Sequence, residues 1–193
     1  MRILIIQSRP AKDSMITQEL ACIERRLGDR RVTTVPHNAV TEDARTDWLD
    51  GVDGVVFGGS GEYSVHHPLS RRWVTPLRGV LDAIFDRELP CFGICFGHQL
   101  VGLHLGAPVI TDPDREEVGT VQLRLTWEGR HDPLFKDLGE VFSAHTGHSD
   151  HVVGLPPGVA LLATGQGCTT QAFKVIDRPI YTTQFHPELS GAE

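Results

Sequence analysis

The sequence predicts an α/β protein: a central, mostly parallel sheet with helices on both faces and an antiparallel extension in its C-terminal half. Three observations carry this expectation. Up to residue 105, short apolar runs alternate with amphipathic ones at the spacing of strand–helix–strand units, which pack as a parallel sheet covered on both sides. Beyond that point, period-two runs separated by turns replace the helical pattern. No linker, internal repeat, low-complexity tract or composition shift divides the 193 residues, so 1–193 reads as a single domain.

Each element has its own signal. Arg2–Gln7 begins with four consecutive apolar residues after Arg2 and reads as a buried strand. Residues 13–27 follow a helical period, with Asp13 or Ser14 as cap and Gly28 as stop. Residues 31–35 and 53–57 are the second and third strands, the latter running into Gly58-Gly59-Ser60-Gly61. Residues 70–87 carry helical spacing through Trp73, Leu77, Val80, Leu81 and Ile84. Residues 90–94 form the fourth strand and 97–105 a short helix. In the second half, 118–127 alternates with period two, and 141–144, 159–163, 170–176 and 180–185 are short β runs. Asp132-Pro133 reads as a helix start with Pro at the first helical position. Trp48, Trp73 and Trp127 read as packing residues, and Arg115-Glu116-Glu117 as a solvated turn.

Composition narrows the class. Eighteen Lys+Arg against 25 Asp+Glu leave a net charge of −7, which argues against non-specific binding to nucleic acid or to an anionic membrane. The N-terminal apolar run is too short for a signal peptide, and no stretch approaches the roughly 20 apolar residues of a membrane span. A cytoplasmic location is expected. The four cysteines (Cys22, Cys91, Cys95, Cys168) lack CxxC spacing and read as reduced thiols, mostly in the core.

One thiol stands apart. In Pro90-Cys91-Phe92-Gly93-Ile94-Cys95-Phe96-Gly97-His98-Gln99, a strand enters Gly-x-Cys-x-Gly and a helical segment follows at once. This is the nucleophile-elbow pattern with Cys in place of Ser: glycines flank a turn too tight for side chains, and the nucleophile is held strained above the sheet. A sulfur at a helix N-terminus favours the reactive thiolate. A thiol nucleophile needs a base, and the base an orienting group. Gln184-Phe185-His186-Pro187-Glu188 supplies both, because Pro187 biases His186 toward extended geometry and brings His186 and Glu188 onto one face. Gly58-Gly59-Ser60-Gly61 lacks both the Lys-Ser/Thr of a P-loop and the order of a dinucleotide site. It remains as an oxyanion hole, with one N–H from Gly59 and one from Phe96.

Taken together, Gly-Ile-Cys-Phe-Gly-His-Gln and Gln-Phe-His-Pro-Glu resemble the class I (Cys-His-Glu triad) glutamine amidotransferase family, in the family's order and over essentially the whole chain. The resemblance implies a flavodoxin-like α/β fold, with Cys95 as nucleophile, His186 as general base and acid, and Glu188 orienting it. It also implies Gly59 and Phe96 as the oxyanion pair, and Gln99 as a contact to the glutamine side chain. Ala144-His145-Thr146-Gly147-His148-Ser149-Asp150 resembles the family's Ser-His-x-Asp segment at the substrate pocket. Two histidines compete there, and His148 keeps the spacing to Asp150. The implied chemistry is glutamine hydrolysis through a γ-glutamyl thioester, with no cofactor. The ammonia acceptor would be a separate ATP-dependent synthetase subunit, because 193 residues hold no synthetase domain. The chain most resembles stand-alone GMP-synthase-like members, whose relatives include γ-glutamyl peptidases, so hydrolysis of γ-glutamyl compounds is the alternative. A non-catalytic binding or regulatory module is a third reading, weighed down by the intact Cys95, His186 and Glu188.

His145-x2-His148-x-Asp150-His151 comes near the His-x-His-x-Asp-His of metallo-hydrolases, which would hold zinc. Thr146 stands where the first pair's partner should be, and the other histidines form no second pair. No metal is expected.

Overall fold

The structure, a computed structural model, describes residues 1–28 and 31–190. In chain order the elements that matter are β1 (Arg2–Gln7), α1 (Met15–Leu27), β2 (Thr33–Asn38), β3 (Gly54–Phe57), α2 (Arg71–Asp86), β4 (Cys91–Ile94) and α3 (Phe96–His104). They are followed by β5 (Val109–Thr111), β6 (Glu117–Leu125), α4 (Trp127–His131), β7 (Val141–His148), β8 (Asp150–Val152), β9 (Val159–Gly165), β10 (Ala172–Val175) and β11 (Ile180–Thr183). Among the described residues the main sheet has nine strands in the order β2-β1-β3-β4-β11-β10-β9-β6-β7. From β2 to β11 neighbouring strands run parallel. From β11 to β7 they run antiparallel. The expected α/β sheet with an antiparallel extension is what the chain forms. Among the described residues no helix is long and apolar enough to cross a membrane.

Alternation along the parallel strands sorts the core. Leu4, Ile6, Val55 and Phe57 face α2 and α3 and pack with Leu77, Val80, Leu81, Ile84 and Leu100. Ile3, Ile5 and Ile94 face the other way and pack with Ile23 of α1. A second small core under the extension joins Leu123, Leu125, Leu162, Phe135 and Phe185. At the start of α1, Ser14 holds the cap position without a side-chain bond, while Asp13 Oδ1 accepts from the Met15 N–H at 2.8 Å. Gly28 closes the helix at φ 58°, its N–H donating to Glu24 O.

Several local expectations need correction. The second strand lies further along than 31–35, because its pairing with β1 runs from Thr33 to Asn38. It is an edge strand, which is why it tolerates Pro36. The run at 141–144 continues to His148, paired residue for residue with β6. β5 and β8 form a separate two-stranded sheet that three-residue runs did not announce. Trp127 is not a packing residue: it starts α4 at 64% exposure and lies against His131. Asp132-Pro133 opens no long helix. Asp132 instead caps the turn at Leu134 and is buried against Lys174 and Tyr181.

Candidate active site

Cys95 occupies the junction of β4 and α3 with φ 49° and ψ −97°, in the left half of backbone space that side chains rarely enter. Neighbours hold it there. The Cys95 N–H donates to Thr183 O at 2.8 Å, and the Gly97 N–H donates to Gly58 O at 3.2 Å. The flanking glycines answer to space. A Cβ on Gly93 would lie 2.7 Å from the Gly97 carbonyl, and one on Gly97 would lie 2.6 Å from both Cβ and carbonyl oxygen of Phe57. The elbow is therefore wedged between β3 and β11.

His186 arrives from the end of β11. The Gln184 N–H donates to Gln171 O and the His186 N–H to His145 O, both at 2.8 Å. His186 Nδ1 lies 2.6 Å from Glu188 Oε1. An ionised carboxylate only accepts, so Nδ1 carries the proton and Nε2 is left for Cys95. Burial would lower the His186 pKa, but hydrogen bonds and charge interaction with Cys95 and Glu188 outweigh it and raise the value to about 10. Gln184 Nε2 also points at Cys95 Sγ, 3.6 Å away. Behind Glu188, Arg26 of α1 donates from Nε to Glu188 O at 3.2 Å and from Nη2 to Leu189 O at 3.0 Å.

The loop after β3 departs from expectation at one atom. The Gly59 N–H does not face the site: it donates to Glu19 Oε1 at 2.8 Å. The reading of Gly59 as oxyanion donor is corrected accordingly, since its hydrogen is already committed to a buried carboxylate. Gly59 itself is close to the chemistry. A Cβ there would lie 3.0 Å from His186 Cε1 and 3.8 Å from Cys95 Cβ. Ser60 and Gly61, the next residues, line the cavity that contains Cys95. The N–H groups of Ser60 and Phe96 meet no acceptor among the described residues.

That cavity, about 450 Å³, is also lined by Gln99, Gly147, His148 and Asp150. Gln99 Nε2 donates to Asp150 O at 2.9 Å and to Gln184 Oε1 at 3.3 Å, tying the cavity wall to the His186 segment. His148 is on the Cys95 side, but its ring is engaged: Nε2 lies 3.1 Å from Glu117 Oε2 and Nδ1 3.1 Å from Asp150 O. Asp150 accepts from Thr111 Oγ1 at 2.5 Å. His145 lies on the other side, lining an apolar cleft of about 480 Å³ with Phe92, Phe142, Phe185 and His186. Among the described residues no group of three or more His, Cys, Asp or Glu is placed to hold a metal ion.

Two buried polar clusters escaped the sequence reading. Glu117 is no solvated turn. It is 8% exposed and accepts from Gln171 Nε2 at 2.5 Å, the Cys168 N–H and His148. Burial would raise its pKa, but these bonds, led by His148, lower it. Glu19, 3% exposed, is gripped by Arg9 through Nε and Nη2 and by Gln7 Nε2. An acidic residue among helical polar positions announces neither cluster.

A thiol, an imidazole and a carboxylate in sequence, at the carboxyl end of parallel strands, form the class of site that carries cysteine-based acyl transfer. The chain belongs to the class I glutamine amidotransferase family, whose model matches residues 12–193. It is 34% identical over 155 residues to the glutamine-hydrolysing subunit of GMP synthase from Sulfolobus acidocaldarius, covering 80% of this chain and 77% of that one. The corresponding subunit of Thermoplasma acidophilum GMP synthase is 33% identical over 154 residues, 80% of this chain and 72% of that one. A crystal structure of a T. acidophilum protein assigned as a GMP synthase subunit superposes with a TM-score of 0.79 at 27% identity. The match covers 98% of this chain and 85% of that one.

Proposed function

We propose that the protein hydrolyses the side-chain amide of glutamine and delivers the ammonia to a separate ATP-dependent synthetase subunit. The observation that carries this is His186, bonded to Glu188 on one side and to Cys95 on the other. In the proposed cycle the Cys95 sulfur attacks the carboxamide carbon. The oxyanion is held by the Phe96 N–H and by a donor of the Ser60–Gly61 turn. His186 gives its Nε2 proton to the departing nitrogen, leaving a γ-glutamyl thioester and ammonia. It then takes a proton from water, whose oxygen attacks the thioester, and glutamate leaves as the thiol is restored. Gln99, His148 and Asp150 shape the cavity around the substrate, and Glu188 keeps the imidazole tautomer. Glutamine is favoured as substrate by the relatives, which are named glutamine-hydrolysing, and their description as one subunit of a synthase favours a partner synthetase. The cavity of about 450 Å³ supports a second reading, a γ-glutamyl compound with a larger leaving group.

The test supplies glutamine and, separately, γ-glutamyl peptides to wild type and Cys95→Ala. Cys95-dependent release of ammonia and glutamate from glutamine is expected. Rapid peptide cleavage with negligible glutamine hydrolysis would transfer the assignment to the second reading. No Cys95-dependent turnover of either substrate would favour a binding module.

A further inference from the structure

Glu19 lies on α1, outside the cysteine–histidine–glutamate set, yet it is joined to the loop beside that set. Its carboxylate accepts the Gly59 N–H at 2.8 Å and packs so closely that a Cβ on Gly58 would lie 2.8 Å from Oε1. The carboxylate itself has no freedom. Arg9 donates Nη2 to Oε1 at 3.0 Å and Nε to Oε2 at 3.1 Å, and Gln7 Nε2 donates to Oε2 at 2.9 Å. Arg9 is fixed in turn by Asp13 at 3.1 Å. A buried carboxylate paired bidentately and bonded to a backbone N–H is a rigid anchor. What it anchors is the turn that abuts both His186 and Cys95 and exposes Ser60 and Gly61 to the nucleophile's cavity.

We infer that Glu19, clamped by Arg9 and Gln7, is a positioning residue for acyl transfer: it holds the 58–61 turn so that the turn's free backbone donors meet the oxyanion formed at Cys95. The inference rests on acyl transfer being the chemistry of Cys95, but not on glutamine being the substrate. Misplacing an oxyanion donor costs about a hundredfold or more in rate, whereas displacement at a saturated carbon forms no oxyanion.

Two reactions of the same sulfur separate these effects. With p-nitrophenyl acetate, Cys95 bonds to the acetyl carbon, the carbonyl electron pair moves onto oxygen and returns as p-nitrophenolate leaves. With iodoacetamide, the sulfur bonds to a methylene carbon as iodide leaves. Both rates are measured on the full chain, with Cys95→Ala as blank. Glu19→Ala is expected to slow acylation about a hundredfold and leave alkylation within twofold. Glu19→Gln, which keeps an acceptor for the Gly59 N–H, is expected to recover acylation to within about tenfold of wild type. If Glu19→Ala does not fold, Glu19→Asp provides the same separation: its shorter side chain keeps Arg9 but falls short of Gly59, and acylation is expected to drop about tenfold with alkylation unchanged. Equal losses in both reactions, or no loss in acylation, overturn the inference. A wild type that is acylated at Cys95 but leaves glutamine intact refutes the proposed substrate and not the role of Glu19.

Discussion

Glu188 Oε1 sits 2.6 Å from His186 Nδ1, although only Pro187 separates the two residues in sequence. The extended backbone that Pro187 imposes puts both side chains on one face, and Arg26 fixes the Glu188 and Leu189 carbonyls from α1. Glu188→Gln retains the shape but offers an amide that can donate to Nδ1 and select the wrong tautomer. The expected loss in kcat for glutamine hydrolysis is about a thousandfold or more, with little change in KM. A loss under tenfold would remove Glu188 from the relay.

His186 also makes stability depend on pH. Its pKa rises from the ordinary 6.5 to about 10 in the folded protein. The folded state therefore holds a proton that the unfolded state releases above 6.5. The contribution is fully present below pH 6.5 and is lost as pH rises through 10. Cys95→Ala removes one of the two groups that raise the value. Urea titrations between pH 6.5 and 10 should show a shallower loss of stability in that variant than in wild type. Ring-proton NMR should show His186 titrating at lower pH, and an unchanged titration would count against the Cys95–His186 coupling.

The thiols should react unequally. Burial raises Cys91 to about 12, and Cys168 also reaches about 12, chiefly through burial. Both stay protonated at neutral pH and are unreactive. Iodoacetamide at pH 7.5 should modify Cys95, which opens onto the 450 Å³ cavity, and leave Cys91 and Cys168 intact by peptide mass spectrometry. Modification of Cys91 or Cys168 in the folded protein at a comparable rate would contradict this.

Gly97→Ala sets two effects against each other. Ala is favoured over Gly within a helix by about 1 kcal/mol, but the added Cβ would sit 2.6 Å from the Phe57 Cβ and carbonyl oxygen. Backbone on one side leaves nothing to yield cheaply, so overpacking wins. A net destabilisation of about 1–3 kcal/mol is expected in urea unfolding, with kcat reduced through displacement of the elbow. A stabilised variant would mean that β3 and α3 are not in the close contact described.

The features legible in the residue order were those set over a few positions. Gly93-x-Cys95-x-Gly97 marks a strained turn because no other residue fits, and His186-Pro187-Glu188 marks a relay because proline restricts the residue before it. The alternation of Ile3, Leu4, Ile5 and Ile6 across two faces foretold a buried strand, and the parallel sheet followed from it. Trp127 and Asp132 misled because exposure depends on what packs above an element, and a local pattern carries no record of that.

Gly59 marks the boundary between the two kinds of information. The residue order placed it in a glycine turn beside the nucleophile, and there it is. The direction of its N–H was settled by Glu19, 40 residues earlier, just as Glu117 was buried by Gln171, 54 residues later. A buried carboxylate must find donors, and those donors come from whichever elements the sheet brings together. The chemistry of Cys95, His186 and Glu188 was therefore written in short motifs. The support beneath it, Arg9 with Glu19 and His148 with Glu117, came into being when distant segments met and left water.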